Sequence, residues 1–155
     1  MADTFALKKF SDLNLNDSFF DSLKTAYPGT NSTPSFTDWF LKKSKEDRTA
    51  LVFQDDDGLG AFISLKQETE SLPLQDSILS KKLRLKISTI KIADRFRGQR
   101  LGEGSIGLVL WQWQRLGIEE IYVTVFDQQE LLKHHYLSFL SSFSSKFCLI
   151  YIFLV

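Results

Sequence analysis

Leu83-Arg84-Leu85-Lys86-Ile87-Ser88-Thr89-Ile90-Lys91-Ile92-Ala93 is followed by Arg97-Gly98-Gln99-Arg100-Leu101-Gly102-Glu103-Gly104, and the reading of this run decides the fold. Leu83, Leu85 and Ile87 alternate with cationic residues, which predicts a strand with one buried face. At Ser88-Thr89 the alternation slips by one, and Ile90 and Ile92 continue on the opposite phase. A bulge does this by re-aiming side chains and breaking the pairing to the next strand; burial of both faces is the alternative. Beyond the glycine-rich turn, Ile106, Val109, Leu110, Trp113 and Leu116 recur at helical spacing until Gly117. Ile118 to Phe126 then reads as a strand, with Ile121, Val123 and Val125 on one face. Strand, helix and strand in this order make a βαβ unit with two parallel neighbours.

The residues before this unit read differently. Phe5 to Phe10 predicts a first strand, and Phe19, Phe20, Leu23 and Ala26 a helix that starts near Asn16-Asp17 and stops at Pro28-Gly29. A loop, Asn31 to Pro34, leads to a second helix carrying Phe36, Trp39, Phe40 and Lys43 along one side. Thr49 to Gln54 and Leu59 to Lys66 form a hairpin around the acidic turn Asp55-Asp56-Asp57-Gly58, which lacks the remaining ligands of a calcium loop. Glu68 to Ser80, polar with one proline, reads as a loop between two halves of a sheet. The fold class is therefore α/β (mixed α+β), a mixed sheet flanked by helices.

Composition bounds the function. With 155 residues, 43% hydrophobic and 25% charged, the chain is of one-domain length and of folded composition. Nineteen basic and nineteen acidic side chains cancel, which excludes nucleic-acid binding by bulk charge. The single cysteine, Cys148, excludes a disulfide framework or a multi-cysteine zinc site; its apolar surroundings favour an inert thiol. The first residues show no cationic segment followed by an apolar run, so the expected location is the cytoplasm.

The zero net charge hides a pattern. Residues 1–80 carry 8 basic and 13 acidic side chains (8 − 13 = −5), residues 81–100 carry 8 against Asp94 alone (+7), and residues 101–155 carry 3 against 5 (−2). Lys81, Lys82, Arg84 and Lys86 read as a solvated strand face with lysines guarding an edge. Arg95, Arg97 and Arg100 read as an anion site, because the helix after them offers no Ser, Thr, Asp or Asn as N-cap. Glycines there let the backbone approach a ligand while free N–H groups and the positive helix end face it. A P-loop is excluded, since no Lys-Ser/Thr follows the glycines. Gly102-x-Gly104-x-x-Gly107 matches the spacing of a dinucleotide fingerprint, with Asp127 near the ribose-binding position. The hairpin-rich first half and the short remaining chain weigh against it.

At these residues the chain resembles the acyl-CoA-binding core of the GNAT superfamily of N-acetyltransferases, whose turn has the pattern Arg/Gln-x-x-Gly-x-Gly/Ala. Arg97 matches the first position and Gly102 the last, while Arg100 stands where a glycine is usual; the shifted match Gln99-x-x-Gly102-x-Gly104 also satisfies it. The order of elements from Phe5 to Phe126 fits as well. The resemblance implies acetyl-CoA as co-substrate, with no metal. Amides of Arg97, Gly98, Gln99, Arg100, Leu101, Gly102, Glu103 and Gly104 would hold the pyrophosphate, and the backbone of Ile90 and Ile92 would hold the pantetheine arm. It further implies Gln129 at a cofactor-contacting asparagine position and Tyr136 as general acid for the leaving thiolate. A primary amine would be the acceptor. Glu68, Glu70 and Glu103 are equivalent candidates for a base, and His134 and His135 read as surface residues. Trp111 and Trp113 read as helix packing. Phe19, Phe20, Phe36 and Phe40 fit an acceptor cleft or a core.

After about Leu132 the chain departs from the family, which ends with a helix and two strands. Residues 133–155 are apolar and serine-rich, with no turn signal between two strands, which predicts a truncated or frame-shifted ending to a domain of residues 1–132. The apolar run Phe147–Val155 is too short to span a bilayer, leaving a tail anchor as a weak alternative. Two further readings stay open: a non-catalytic acyl-CoA-binding module, and a Rossmann-type nucleotide binder.

Overall fold

The computed structural model describes residues 4–74, 76–126 and 148–154, with the backbone alone for 124–126 and 148–154. Six strands form one sheet in the order β1-β2-β3-β4-β5-β6: Phe5–Lys9, Thr49–Asp55, Gly58–Pro73, Ile78–Ile92, Glu120–Phe126 and Cys148–Leu154. Three α-helices accompany them: α1 Asp21–Ala26, α2 Phe36–Lys45 and α3 Leu101–Leu116. The chain divides into two compact units, residues 1–64 with 91–99, and residues 65–90 with 100–155.

In the first unit β1 and β2 are antiparallel, with Leu7 opposite Leu51, and β2 pairs antiparallel with the start of β3. The β2–β3 turn forms because Asp55 Oδ1 accepts the Asp57 N–H at 3.0 Å and Gly58 adopts φ 106°. The aspartates thus serve the turn. The first helix is shorter than expected: Ser18–Phe20 is a 3-10 turn, whose Asp17 cap accepts the Phe19 N–H at 2.8 Å, and α1 follows it. Helix α2 opens on a reciprocal cap, with Ser35 Oγ accepting the Asp38 N–H and donating to the Asp38 carboxylate. Phe19, Phe20, Phe36 and Phe40 are buried with Phe10 and Phe62, so these rings form a core. Their edge-to-face contacts, such as Phe20 to Phe62 at 5.3 Å, hold it together.

In the second unit the expected loop from Glu68 to Ser80 is a hairpin. Strand β3 continues to Pro73 and β4 starts at Ile78, with Leu74 N–H donating to Ser77 O at 2.7 Å between them. Polar residues hid this strand. Glu68 and Leu72 are buried, and Glu68, 9% exposed, is paired with Lys66 at 2.6 Å. Strand β5 runs parallel to β4 and to β6, so the βαβ reading holds. On α3, Ile106, Val109, Leu110 and Trp113 are buried, but Leu116 and Trp111 are exposed. Trp111 therefore does not pack in the helix interface; it lies under the Arg115 guanidinium, 4.7 Å from its ring. Gly117 ends α3 at φ 65°. The dinucleotide alternative gains no support from this sheet, whose first strands are antiparallel hairpins rather than the repeated βα units that fold needs.

Candidate functional site

The first element of the site is an opening in the second unit. Strands β4 and β5 pair in register from Arg84↔Glu120 to Ile87↔Val123. Their ladder ends there, although β4 continues to Ile92 and β5 to Phe126. Beyond Ile87, at the residue where the hydrophobic alternation slips, the facing backbone groups of β4 are turned toward a strand that no longer pairs with them. Backbone donors and acceptors in that position need another partner. Ile90, in this segment, is half-buried; Ile92, also half-buried, belongs to the first unit.

The second element is the start of α3. Its N-terminal cap position is Arg100, with no side-chain cap bond, as the sequence implied. The first helical bond runs from Gly104 N–H to Arg100 O at 2.9 Å. The N–H groups of Arg100, Leu101, Gly102 and Glu103 have no protein acceptor among the described residues, the condition that favours an anion at a helix start. A Cβ built at Gly102 or Gly104 would meet no heavy atom within 4 Å, so the space beside these amides is open.

Not every expected group is free. The Arg97 N–H goes to Asp94 O at 3.0 Å and the Gln99 N–H to Phe96 O at 3.1 Å, so these two amides and that of Gly104 serve the protein. Gly98, at φ 73°, keeps its N–H unpaired among the described residues. The Gln99 side chain donates to Arg95 O at 3.3 Å. Residues 97–99 belong to the first unit, and 100–104 to the second.

The arginines also separate. Arg95 is a structural clamp on the β2–β3 hairpin, not part of an anion site. It donates to Leu59 O, Gly58 O and the Asp55 carboxylate at 3.0, 3.1 and 2.6 Å. Arg97 forms an exposed pair with Asp94 at 3.2 Å. Arg100 is exposed and has no side-chain partner among the described residues.

The candidate bases are no longer equivalent. Glu68 is buried against Lys66, while Glu70 and Glu103 are exposed. Gln129, Tyr136, His134 and His135 lie outside the described residues.

Sequence reasoning missed a charged cluster beside the opening. Arg84 is 2% exposed, not part of a solvated face, and β4 is an interior strand rather than an edge. Its guanidinium donates to the Glu120 carboxylate and to the carbonyls of Glu70 and Ser80. Burial alone would raise the Glu120 carboxyl, but hydrogen bonds from Arg84 and Lys82 override it and hold the group below its ordinary value. Hydrogen bonds to Glu119 and Glu120 raise Lys82 above the ordinary lysine value. The signal was in the sequence: a cationic strand and Glu119-Glu120 at the start of the strand that becomes its parallel neighbour.

Comparison with solved structures gives the class of fold: the chain has the fold of the GNAT N-acetyltransferases. AAC(6')-Iy, solved in complex with the bisubstrate analogue CoA-S-monomethyl-acetylneamine, is similar with a TM-score of 0.59 and 14% identity, over 95% of each chain. The aminoglycoside 6'-N-acetyltransferase AAC(6')-Ih of Acinetobacter baumannii is similar with a TM-score of 0.56 and 10% identity, over 96% of this chain and 97% of that one. Glucosamine-6-phosphate N-acetyltransferase of Arabidopsis thaliana is similar with a TM-score of 0.54 and 18% identity, over 92% and 94%. No protein-family model matches the chain, and no curated protein matches its sequence.

Proposed function

We propose that the chain transfers an acetyl group from acetyl-CoA to a primary amine. The observation that carries this reading is the row of amides from Arg100 to Glu103, without a protein acceptor among the described residues, opening a helix beside Gly102 and Gly104. A diphosphate fits such a row, because each phosphate oxygen accepts N–H bonds and the helix dipole favours negative charge. Arg100 adds an exposed cation with no carboxylate partner among the described residues. The extended pantetheine amide chain suits the opening beyond Ile87↔Val123, where unpaired strand groups can take it as they would a further strand.

The chemistry follows from the donor. The amine nitrogen, once deprotonated, attacks the thioester carbonyl; a C–N bond forms, the C–S bond breaks, and the thiolate leaves as CoA thiol after taking a proton. A lysine-like amine near pKa 10.4 is mostly protonated at neutral pH, so a base or a water relay must act first. A strand amide at the opening would donate to the developing oxyanion. Tyr136 as acid and Gln129 as cofactor contact remain part of the proposal.

A second reading is binding of acyl-CoA without turnover; Glu68 is paired with Lys66, and Glu70 and Glu103 are exposed. Calorimetry with acetyl-CoA, CoA and NAD, followed by thiol release with an amine panel, tests both. Binding of acetyl-CoA with thiol release supports transfer, and binding without release supports the module. No binding of either CoA species to the folded protein overturns both.

A further inference from the structure

Strand β1 is an edge of the sheet, paired with β2 on one side and with no other described strand. The direction of its backbone groups follows from one bond. Phe10 N–H donates to Arg48 O at 2.9 Å, which continues the β1–β2 register one pair beyond Lys9↔Thr49. Bonded pairs alternate in an antiparallel ladder. Lys8↔Ala50 and Ala6↔Val52 are therefore the bonded pairs with β2. Phe5, Leu7 and Lys9 turn their N–H and C=O groups to the open edge, where a further strand can take them.

The side chains there offer the same partner an apolar strip. Leu7 is 63% exposed and stands opposite half-buried Leu51. Phe5, on the same face, has its ring 5.6 Å from that of Phe53. Lysines usually guard such an edge, but these two are turned back onto their own chain. Lys8 Nζ donates to Gln54 Oε1 at 2.6 Å, and Lys9 pairs with Asp47 at 2.8 Å.

We infer that β1 docks a second copy of this chain, joined antiparallel to its own β1 about a two-fold axis at Leu7. Register and charge single out this occupant. With the axis at Leu7, Leu7 meets Leu7 of the second copy and Phe5 meets Lys9, so every outward-facing residue of β1 gains a bonded partner. Lys8 then faces Ala6, and no two ammonium groups stand opposite each other. An axis at Lys8 would set Lys8 against Lys8, and an axis at Ala6 would leave Lys9 without a partner on the second β1. A strand of five residues a side buries less than a permanent dimer needs, so the copies exchange with monomer.

Sedimentation equilibrium of the whole chain, from micromolar to millimolar concentration, should show a monomer–dimer equilibrium. Leu7→Lys and Leu7→Glu change an exposed side chain and leave the β1–β2 bonds in place. Each alone should weaken the dimer about tenfold, because like charges meet at the axis. Mixing the two variants in equal amounts should restore association, since opposite charges then meet. Amide exchange of the wild-type chain reads the register independently of any variant: protection of Phe5, Leu7 and Lys9 should grow with concentration, while that of Ala6 and Lys8 stays fixed. A monomer at millimolar concentration overturns the inference and leaves the edge to a strand of another protein. A dimer that both variants leave intact, or one that forms without added protection at Phe5, Leu7 and Lys9, overturns it as well. So does a loss that mixing does not reverse in variants that melt as wild type does.

Discussion

Arg84 Nε lies 2.5 Å from Glu120 Oε2, across a pair of residues directly opposite each other on β4 and β5. The same guanidinium caps two carbonyls, of Glu70 and Ser80, so it ties the β3–β4 hairpin to β5 just before the two parallel strands part. Arg84→Met should cost about 3 kcal/mol, because it leaves a half-buried carboxylate and two carbonyls without their donor. Glu120 is held below its ordinary value when folded. Its contribution is therefore present above the unfolded carboxyl value of 4.5 and is lost as pH falls through the lower folded value. Denaturant titrations between pH 3 and 7 should show wild type losing this part of its stability below about pH 4.5, with a flatter acid limb in Arg84→Met. Parallel curves would refute the coupling.

Gly102 separates stability from binding. A methyl group there meets nothing, and Ala is favoured over Gly in a helix by about 1 kcal/mol. Gly102→Ala should therefore raise the melting temperature slightly while lowering affinity for CoA several-fold, since the methyl group occupies space beside the amide row. A variant with higher stability and unaltered CoA affinity in calorimetry would place the diphosphate elsewhere.

Arg100 and Arg97 should differ. Arg100→Glu is expected to weaken CoA binding about tenfold, an effect that shrinks in high salt. Arg97→Glu should weaken it less, because Asp94 already offsets Arg97 in the folded chain. Titration of both variants at low and high salt checks the ranking, and a larger loss at Arg97 would reverse it.

Arg95→Met should lower stability by about 2 kcal/mol through loss of three hydrogen bonds on the β2–β3 hairpin, two of them to buried or half-buried carbonyls. CoA affinity of the folded fraction should remain that of wild type. A specific loss of affinity would return Arg95 to the anion site.

Gly60 marks a close approach in the first unit. A Cβ there would lie 2.6 Å from Phe53 Cδ1 and 2.7 Å from Phe96 Cε2, two rings already in edge contact. Gly60→Ala should cost about 1–3 kcal/mol by overpacking, and Phe96→Leu in the same chain should recover part of it. Chemical denaturation of the single and double variants measures that recovery.

Much of the architecture was legible because periodicity and turn chemistry agreed. The helix Leu101–Leu116, the parallel strands on either side of it and the hairpin turn at Asp55–Gly58 follow from spacing and turn residues. The polar half of β3 was not legible, since Glu68, a charged residue, holds a buried strand position with its carboxylate paired to Lys66. The site was legible as a row of amides, but the sequence could not say which were already engaged. Arg95 shows why: its partners, Asp55, Gly58 and Leu59, are far away in the chain and carry no mark of the pairing. Leu116 continues the helical phase of the buried stripe yet is exposed at the last turn of α3, and Trp111, read as helix packing, lies on the exposed side.

Strand β5 has seven residue pairs on its β6 side and four on its β4 side. On the ribosome, β5 emerges ahead of β6, so for that interval its far half has a hydrogen-bonding neighbour on neither flank. Pairing of that half is completed only once Cys148–Leu154 has been made.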